Sequence, residues 1–386
     1  MRVLIAGAGL GGLCLAHGLH RAGVDVEVFE RAASPDAFAA GYRIHIDPDG
    51  DRALRSCLPS RQVADYEAAC GRPPRTFAFV DERLRELLTA EIAPPGADSG
   101  HRSINRYRLR RILLSGLDER VRFGREIVGF EEPHEVNARF ADGSAATGTV
   151  LIGAEGTHSP TRAQLLPHAE RVDTGVDGIS GRVVPDGPLA DLVPSAFADG
   201  PGLVLAPGGR NLFVATHEDY LVWGLSARRE TLPAGGIGGL SPDGLHCLAR
   251  ELTARWHPRL RHLVDAAKEV SGFTIKTSVP VPPWPAGRVT VLGDAIHSMP
   301  PSRGIGANTA LRDADLLRRT LTGGGDPVAA IAAYEREMRA YGFAAVRASV
   351  QAQRQGLIAN RPAFAMSKAA LRMLNALPSV RDRVFR

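Results

Sequence analysis

The chain opens on an unbroken apolar run. Arg2 to Ala6 (RVLIA) lacks the alternation of a half-exposed strand and predicts a buried parallel strand. A glycine-rich turn, Gly7 to Gly12, follows. Leu13 to Arg21 then have helical composition, with Gly23 placed as a C-terminal cap. Val24 to Phe29 alternate as a second strand, completing a strand–helix–strand unit. Helical patterns recur at 53–70 and at 105–117, where Leu109, Ile112 and Leu113 supply the apolar face. Residues 71–74 punctuate the first of these, and 76–92 read as a strand followed by an ambiguous segment. The segment 93–100 (APPGADSG) reads as a loop. Residues 121–140 give two strands, Asp142-Gly143 a hairpin turn and 149–153 another buried strand. From 179 to 280 the character changes. Glycine and proline are more frequent, the short strand-like runs LVLAP, NLFVATH and DYLVWGLS appear, and a helix is expected near 243–256. The buried-strand pattern returns at 288–292, a clear helix spans 308–322, and the last 60 residues are helical. The pattern predicts an α/β domain carrying an α+β insert, an antiparallel sheet with a helix.

Composition narrows this picture. A chain of 386 residues is too long for a single ordinary core, and 44% apolar content can fill a large divided domain or two domains. The charge balance, 47 − 42 = +5, favours small anions such as nucleotide phosphates, and no Lys/Arg run is long enough to argue for nucleic acid. No apolar run reaches the roughly 20 residues of a membrane span, and the glycines breaking the N-terminal run argue against a signal peptide. Cys14, Cys57, Cys70 and Cys247 form no CxxC pair and no metal-ligand spacing, so reduced thiols in a cytoplasmic protein and no metal are expected.

Two motifs carry chemistry. Gly7-Ala8-Gly9-Leu10-Gly11-Gly12 fits GxGxxG between a strand and a helix. Gly7 permits the turn, Gly9 the approach of a pyrophosphate and Gly12 close helix–strand packing. Glu30, followed by Arg31, ends the second strand about 20 residues on. Its carboxylate can accept from a ribose diol and would repel a 2′-phosphate. The second motif delivers Gly293-Asp294 from a buried strand, passes the stiff Pro300-Pro301 loop and starts a helix at Gly304-Ile305-Gly306-Ala307-Asn308. A second positive helix end suits the isoalloxazine of a flavin, whose reduced form is negative near N1 and O2.

With GAEGTHSPTR (153–162) and VLGDAIHSMPPSRGIGANTALRDADLL (291–317), the chain resembles the group A flavoprotein monooxygenases of the para-hydroxybenzoate hydroxylase type, over roughly residues 1–345. The resemblance implies a glutathione-reductase-type Rossmann FAD domain (1–72, 101–178 and 277–345), an inserted antiparallel-sheet substrate domain (73–100 and 179–276) and C-terminal helices (346–386). It also implies FAD, NADPH or NADH as reductant, and O2 added to the flavin as a C4a-hydroperoxide that hydroxylates or epoxidises an electron-rich aromatic or alkene, with natural-product tailoring as the favoured setting. Monomer and homodimer both fit.

By position, the resemblance implies that Gly293 and Asp294 meet the FAD pyrophosphate and ribityl chain, and that Gly306, Ala307 and Asn308 meet the pyrimidine edge, with Gly304 a further cofactor-binding candidate at the start of that segment. Arg106, in Arg-x-x-Leu-x-x-x-Leu, would reach FAD from its helix. Arg43 would sit on a strand beside the flavin and Val128 beside the adenine. Pro300 and Pro301 would cover the ring near the oxygen site. The pocket is expected between flavin and insert, with His45, Phe213, Trp223 and Leu225 as candidate lining, the aromatic residues equally readable as sheet core. His297 is expected to pack within the motif. The middle motif departs from the usual Asp-Gly and reads Glu155-Gly156, with Ser159 and Arg162 retained, which weakens the case for nicotinamide more than for FAD. A flavin oxidase or dehydrogenase is the main alternative. A halogenase lacks its WxWxIP segment here, and a non-catalytic FAD-binding protein is the remaining reading. The basic amphipathic stretch 364–386 is expected to pack on the FAD domain as a helix, with a dimer or membrane contact as its alternative.

Overall fold

The computed structural model describes residues 1–38, 43–71, 73–92, 100–132, 134–184, 187, 192–217, 220–233 and 236–377. Most of the expected 93–100 loop and residues 378–386 lie outside them. The chain runs β1 (Arg2–Ala6), α1 (Leu10–Arg21), β2 (Asp25–Glu30), β3 (Arg43–Ile46), α2 (Pro48–Cys57) and α3 (Ser60–Ala69). It continues through β4 (Thr76–Asp81), β5 (Glu86–Glu91), β6 (Arg102–Asn105), α4 (Arg106–Leu114), β7 (Val121–Phe123), β8 (Ile127–Glu131), β9 (Val136–Phe140), β10 (Ala145–Gly148) and β11 (Val150–Gly153). Next come α5 (Pro160–Leu165), β12 (Arg171–Val183), β13 (Gly202–Ala206), β14 (Arg210–Thr216), β15 (Leu221–Arg228), α6 (Pro242–Thr253) and α7 (Pro258–Asp265). The last are β16 (Glu269–Ser278), β17 (Val289–Val291), α8 (Asp294–His297), α9 (Gly306–Thr322), α10 (Pro327–Gly356) and α11 (Arg361–Asn375).

The chain divides into two compact units: Met1–Arg72, Gly100–Val172 and Lys276–Val350 form unit one, and Pro73–Ser99, Asp173–Ile275 and Gln351–Arg386 form unit two. Unit one is built on a five-stranded sheet in the order β17-β11-β1-β2-β7, whose pairs are all parallel. Val3, Ile5, Leu13, Val28, Val150 and Ile152 are wholly buried there, as the unbroken apolar runs predict. A three-stranded antiparallel sheet, β10-β9-β8, and a two-stranded one, β3-β6, complete the unit. The helix expected over 53–70 is two helices, because Pro59 removes a backbone donor and fixes φ where α2 stops at Leu58.

Unit two holds one seven-stranded sheet, β16-β12-β15-β14-β13-β4-β5. It is not purely antiparallel: β13 and β4 run parallel, pairing Gly202 with Ala78 and Val204 with Val80. The ambiguous segment after residue 76 is the β4–β5 hairpin that supplies this strand. Helices α6 and α7 cover one sheet face through Leu245, Leu248, Leu260 and Leu263. The C-terminal helix corrects the packing expected for the stretch 364–386, as far as its described residues go. It belongs to unit two, where Phe364 packs with Leu87 and Leu205.

Candidate functional site

The site begins where β1 ends. Gly7 has φ +105°, a conformation side chains rarely adopt, and its N–H donates to the Phe29 carbonyl at 2.7 Å. A Cβ at Gly7 would collide with the Ala154 carbonyl, and one at Gly12 with the Gly7 carbonyl. Gly11 brings α1 against Leu292 and the Ala310 carbonyl, 2.8 and 3.1 Å from where its Cβ would be. Gly9 is the opposite case. Nothing lies within 4 Å of its Cβ position, so space opens at the N-cap of α1. That helix has no side-chain cap and no acid in its first turn, leaving Leu10, Gly11 and Gly12 with first-turn donors and a positive helix end. An open cradle with such donors fits a pyrophosphate.

Glu30 closes β2 and is 7% exposed. Its two carboxylate oxygens accept from the Ala8 and Ala32 N–H groups, both at 2.9 Å, and each keeps a lone pair for a ribose diol. Arg31 is exposed beside it. The Gly124 and Arg125 N–H groups bond to the Ala32 and Glu30 carbonyls. Three residues on from Arg125, Val128 is an apolar side chain left 55% exposed. Arg106 is exposed as the first residue of α4. Arg110, one turn on, is the arginine that reaches the glycine turn. Its Nε donates to the Ala8 carbonyl at 3.0 Å and its Nη1 to the Pro35 carbonyl at 2.9 Å. Burial lowers the Arg110 pKa, with Glu30 opposing that shift. Sequence reading missed Arg110, which is one arginine among four in its helix.

A second helix end lies at α9. It too has no side-chain cap and no acid in its first turn. The Pro300-Pro301 loop leads into it, with Pro300 buried, Pro301 exposed and Gly304 at φ +63°. Asp294 is exposed, and a Cβ at Gly306 would stand 3.8 Å from its Oδ1, so this carboxylate borders the helix end. Gly306 and Ala307 offer backbone donors there. The Asn308 side chain is engaged elsewhere, accepting from the Asp47 N–H and donating to the His45 carbonyl, both at 3.0 Å. It ties β3 and the start of α2 to this helix end, and only its backbone remains for a ligand.

Beneath Asp294 is a buried polar cluster without a sequence signal of its own. Asp313 accepts from the Gly293 N–H at 2.7 Å, from His297 Nε2 at 2.6 Å and from the Tyr341 hydroxyl. Burial works against the His297 charge, but the Asp313 carboxylate outweighs it and holds the imidazole pKa above its ordinary value. His297 is wholly buried, and Gly342 leaves room for its ring. Thr290 donates to Glu335 at 2.7 Å and Tyr334 to the Val291 carbonyl at 3.0 Å, so α10 grips the strand that delivers Gly293.

Glu155 turns into its own loop. It accepts from Ser159 at 2.6 Å and from the Thr161 hydroxyl and N–H. Burial raises its pKa against those bonds. Gly156 follows at φ +78°. The Arg162 and Arg171 guanidiniums converge on the Thr157 carbonyl at 3.3 Å each, and Arg171 Nε donates to Ser298 at 3.0 Å. Burial lowers the Arg171 pKa and Arg162 adds to it, while Asp294 opposes. Arg171 sits in no motif and was not foreseen.

Arg43 and His45 share one face of β3. A Cβ at Gly71 would overlap the Arg43 guanidinium, so Gly71 makes its place. His45 Nε2 meets His101 Nδ1 at 3.0 Å. Burial, then His101, push the His45 pKa down to about 4, which keeps this ring neutral at pH 7. In unit two, Phe213 is 38% exposed on the sheet face away from α6 and α7. Trp223 and Leu225 are each 1% exposed in the core beneath those helices. This corrects the expectation for both. Strand alternation turns them to the covered face, and they are core side chains. Among the described residues no group of His, Cys, Asp or Glu could hold a metal, and no helix is long and apolar enough to cross a membrane.

Residues 248–349 match the FAD binding domain family, and residues 5–83 match the NAD(P)-binding Rossmann-like domain family. Over 388 residues the chain is 32% identical to a dual O-methyltransferase/FAD-dependent monooxygenase of Cercospora beticola, covering 87% of this chain and 44% of that protein. The chain thus spans less than half the length of that relative. It is 31% identical over 348 residues to an FAD-dependent urate hydroxylase of Klebsiella pneumoniae, covering 87% of this chain and 85% of that one. A crystal structure from Photorhabdus luminescens, classed as an FAD-containing monooxygenase, superposes with TM-score 0.85 at 35% identity, covering 92% of this chain and 98% of that one. The chain belongs to the group A FAD-dependent monooxygenase family, and FAD is its cofactor.

Proposed function

We propose that this enzyme uses NADPH or NADH and O2 to hydroxylate or epoxidise an electron-rich aromatic or alkene small molecule, in the tailoring of a natural product. The observation that carries this reading is the pair of uncapped helix ends, α1 open at Gly9 and α9 bordered by Asp294. The first suits a pyrophosphate and the second the negative edge of a reduced flavin. Gly7, Gly9, Leu10, Gly11 and Gly12 hold the pyrophosphate in this reading. Glu30 takes the ribose diol, with Arg31 and Val128 near the adenine, and Arg106, Arg110 and Asp294 support the linker. Gly304 and the N–H groups of Gly306, Ala307 and Asn308 serve the pyrimidine edge. When bound, FAD supplies electron transfer and oxygen activation. The chain's own role is to orient and to exclude water: Pro300 and Pro301 cover the ring, while Arg43 and His45 meet the substrate. Within unit two, the exposed Phe213 is a separate candidate for substrate contact. Glu155 and Gly156 shape the loop below the cofactor. Four free cysteines suit a reducing cytoplasm.

Stopped-flow reduction with NADH and with NADPH, followed by reoxidation in air with a panel of phenols and alkenes, tests this reading. Oxygenated product formed in proportion to reductant supports it. Peroxide without product in every case replaces it with the oxidase reading.

A further inference from the structure

Helix α11 is inverted. A surface helix ordinarily turns its apolar stripe inward and its charges outward. Here Pro362, Met366, Ala369, Ala370, Met373 and Leu377 recur at intervals of three and four, share one face and are all exposed. Met366 is 73% exposed, Met373 65% and Leu377 47%; the two methionines are the most exposed of the large apolar side chains among the described residues.

The inward face explains why the helix stays in this orientation. Phe364 and Leu371 pack with Leu87 and Leu205. Lys368 Nζ and Arg372 Nη2 point at the buried Asp81 carboxylate, 3.8 and 3.7 Å away. Asn375 accepts from the Thr89 N–H and donates to Glu86, each at 3.1 Å. Rolling the helix to hide its methionines would break these grips and leave Asp81 buried without its cations.

We propose that this outward face docks on an anionic lipid bilayer, with α11 lying in the interface plane and unit two beneath it. Charge selects this occupant. The helix carries Arg361, Lys368 and Arg372 and no Asp or Glu. Arg361 and Arg372 flank the stripe on the same side. Two copies of the helix packed antiparallel, stripe to stripe, would set arginine flank against arginine flank with no carboxylate in the helix between them, whereas anionic headgroups accept Arg361 and the outward part of Arg372, whose side chain stays 48% exposed while Nη2 faces Asp81. Its composition agrees, because unbranched methionines adapt to disordered acyl chains. At 15 residues the helix is about 22 Å long, too short to span a bilayer and long enough to lie on one.

The test uses the full FAD-loaded chain and vesicles of phosphatidylcholine with or without phosphatidylglycerol, read by co-sedimentation. Binding is expected to the anionic vesicles, with little to phosphatidylcholine alone, and to fall steeply with salt. R361Q, whose arginine touches none of the inward grips, weakens it about fivefold. M366E/M373E weakens it at least about tenfold while leaving flavin content and melting temperature unchanged, because both side chains already face solvent. Wild-type protein that stays in the supernatant with anionic vesicles, or M366E/M373E protein that sediments as wild type does, overturns the proposal. A concentration-dependent dimer in analytical ultracentrifugation that M366E/M373E dissolves would also overturn it, assigning the face to a second copy.

Discussion

Unit one and unit two use their sequences differently. In unit one the proposed site is framed by backbone, the N–H groups of two helix ends and glycines placed where a Cβ would collide or would fill the cradle, with Glu30 and Asp294 as the side chains beside them. In unit two the candidate surfaces are side chains, set by which face of a strand or helix they occupy. Phe213 and Trp223 lie on neighbouring strands, yet one is 38% exposed and the other 1%. The difference teaches that a site written in backbone tolerates few substitutions and announces itself as a motif. A site written in faces does neither.

The sharpest test of that contrast is Gly7→Ala. At φ +105°, with the Ala154 carbonyl in the way, even a methyl group should abolish FAD retention or soluble expression, read as flavin per chain in purified protein. Trp223→Ala is the counterpart in unit two. It should cost about 3–5 kcal/mol of stability in urea unfolding. The FAD affinity of the folded protein should stay within about twofold, because Trp223 packs inside the core of unit two. Full flavin retention by the first variant, or flavin loss by the second at constant folding, would dissolve the distinction.

A smaller effect should appear in pH. Burial pushes the Glu335 carboxyl from its ordinary 4.5 up to about 7. The folded protein therefore binds a proton that the unfolded chain has released between those values, and stability falls as pH climbs through that window. His297 has the same sign, starting from its ordinary 6.5. Its raised pKa gives a stabilisation fully present below the ordinary 6.5 and lost as pH rises through the folded value. Melting temperatures followed across pH should show E335Q flattening the fall between about 4.5 and 7, and H297Q reducing the fall that begins above 6.5. The least effect is expected from E155D. The shorter carboxylate gives up some of its grip on Ser159 and Thr161, shifting the reductant KM more than the flavin content.

Legibility followed the same division. The strand–helix–strand opening, Glu30, Gly293-Asp294 and the α9 start were readable because each needs particular residues at fixed spacing. Arg110 was not, since four arginines in one short helix look alike until the fold turns one toward Ala8. Asp313, His101 and Arg171 act through partners distant in sequence, which spacing does not encode. Trp223 could be read as pocket lining or as core, and Leu225 was expected to line the pocket, because a strand pattern defines two faces without saying which one the helices cover. The placement of α11 depended on Asp81, nearly 300 residues earlier.

The central claim is that Glu30 and Asp294, at the two helix ends, hold FAD. FAD titration of the apoprotein, followed by flavin fluorescence, tests it in wild type, E30A and D294A. Each substitution removes a charged hydrogen-bond acceptor and should weaken binding by about tenfold or more with the fold intact. Wild-type affinity in D294A would contradict the map of the second helix end, and apoprotein that takes up no FAD would contradict the account as a whole.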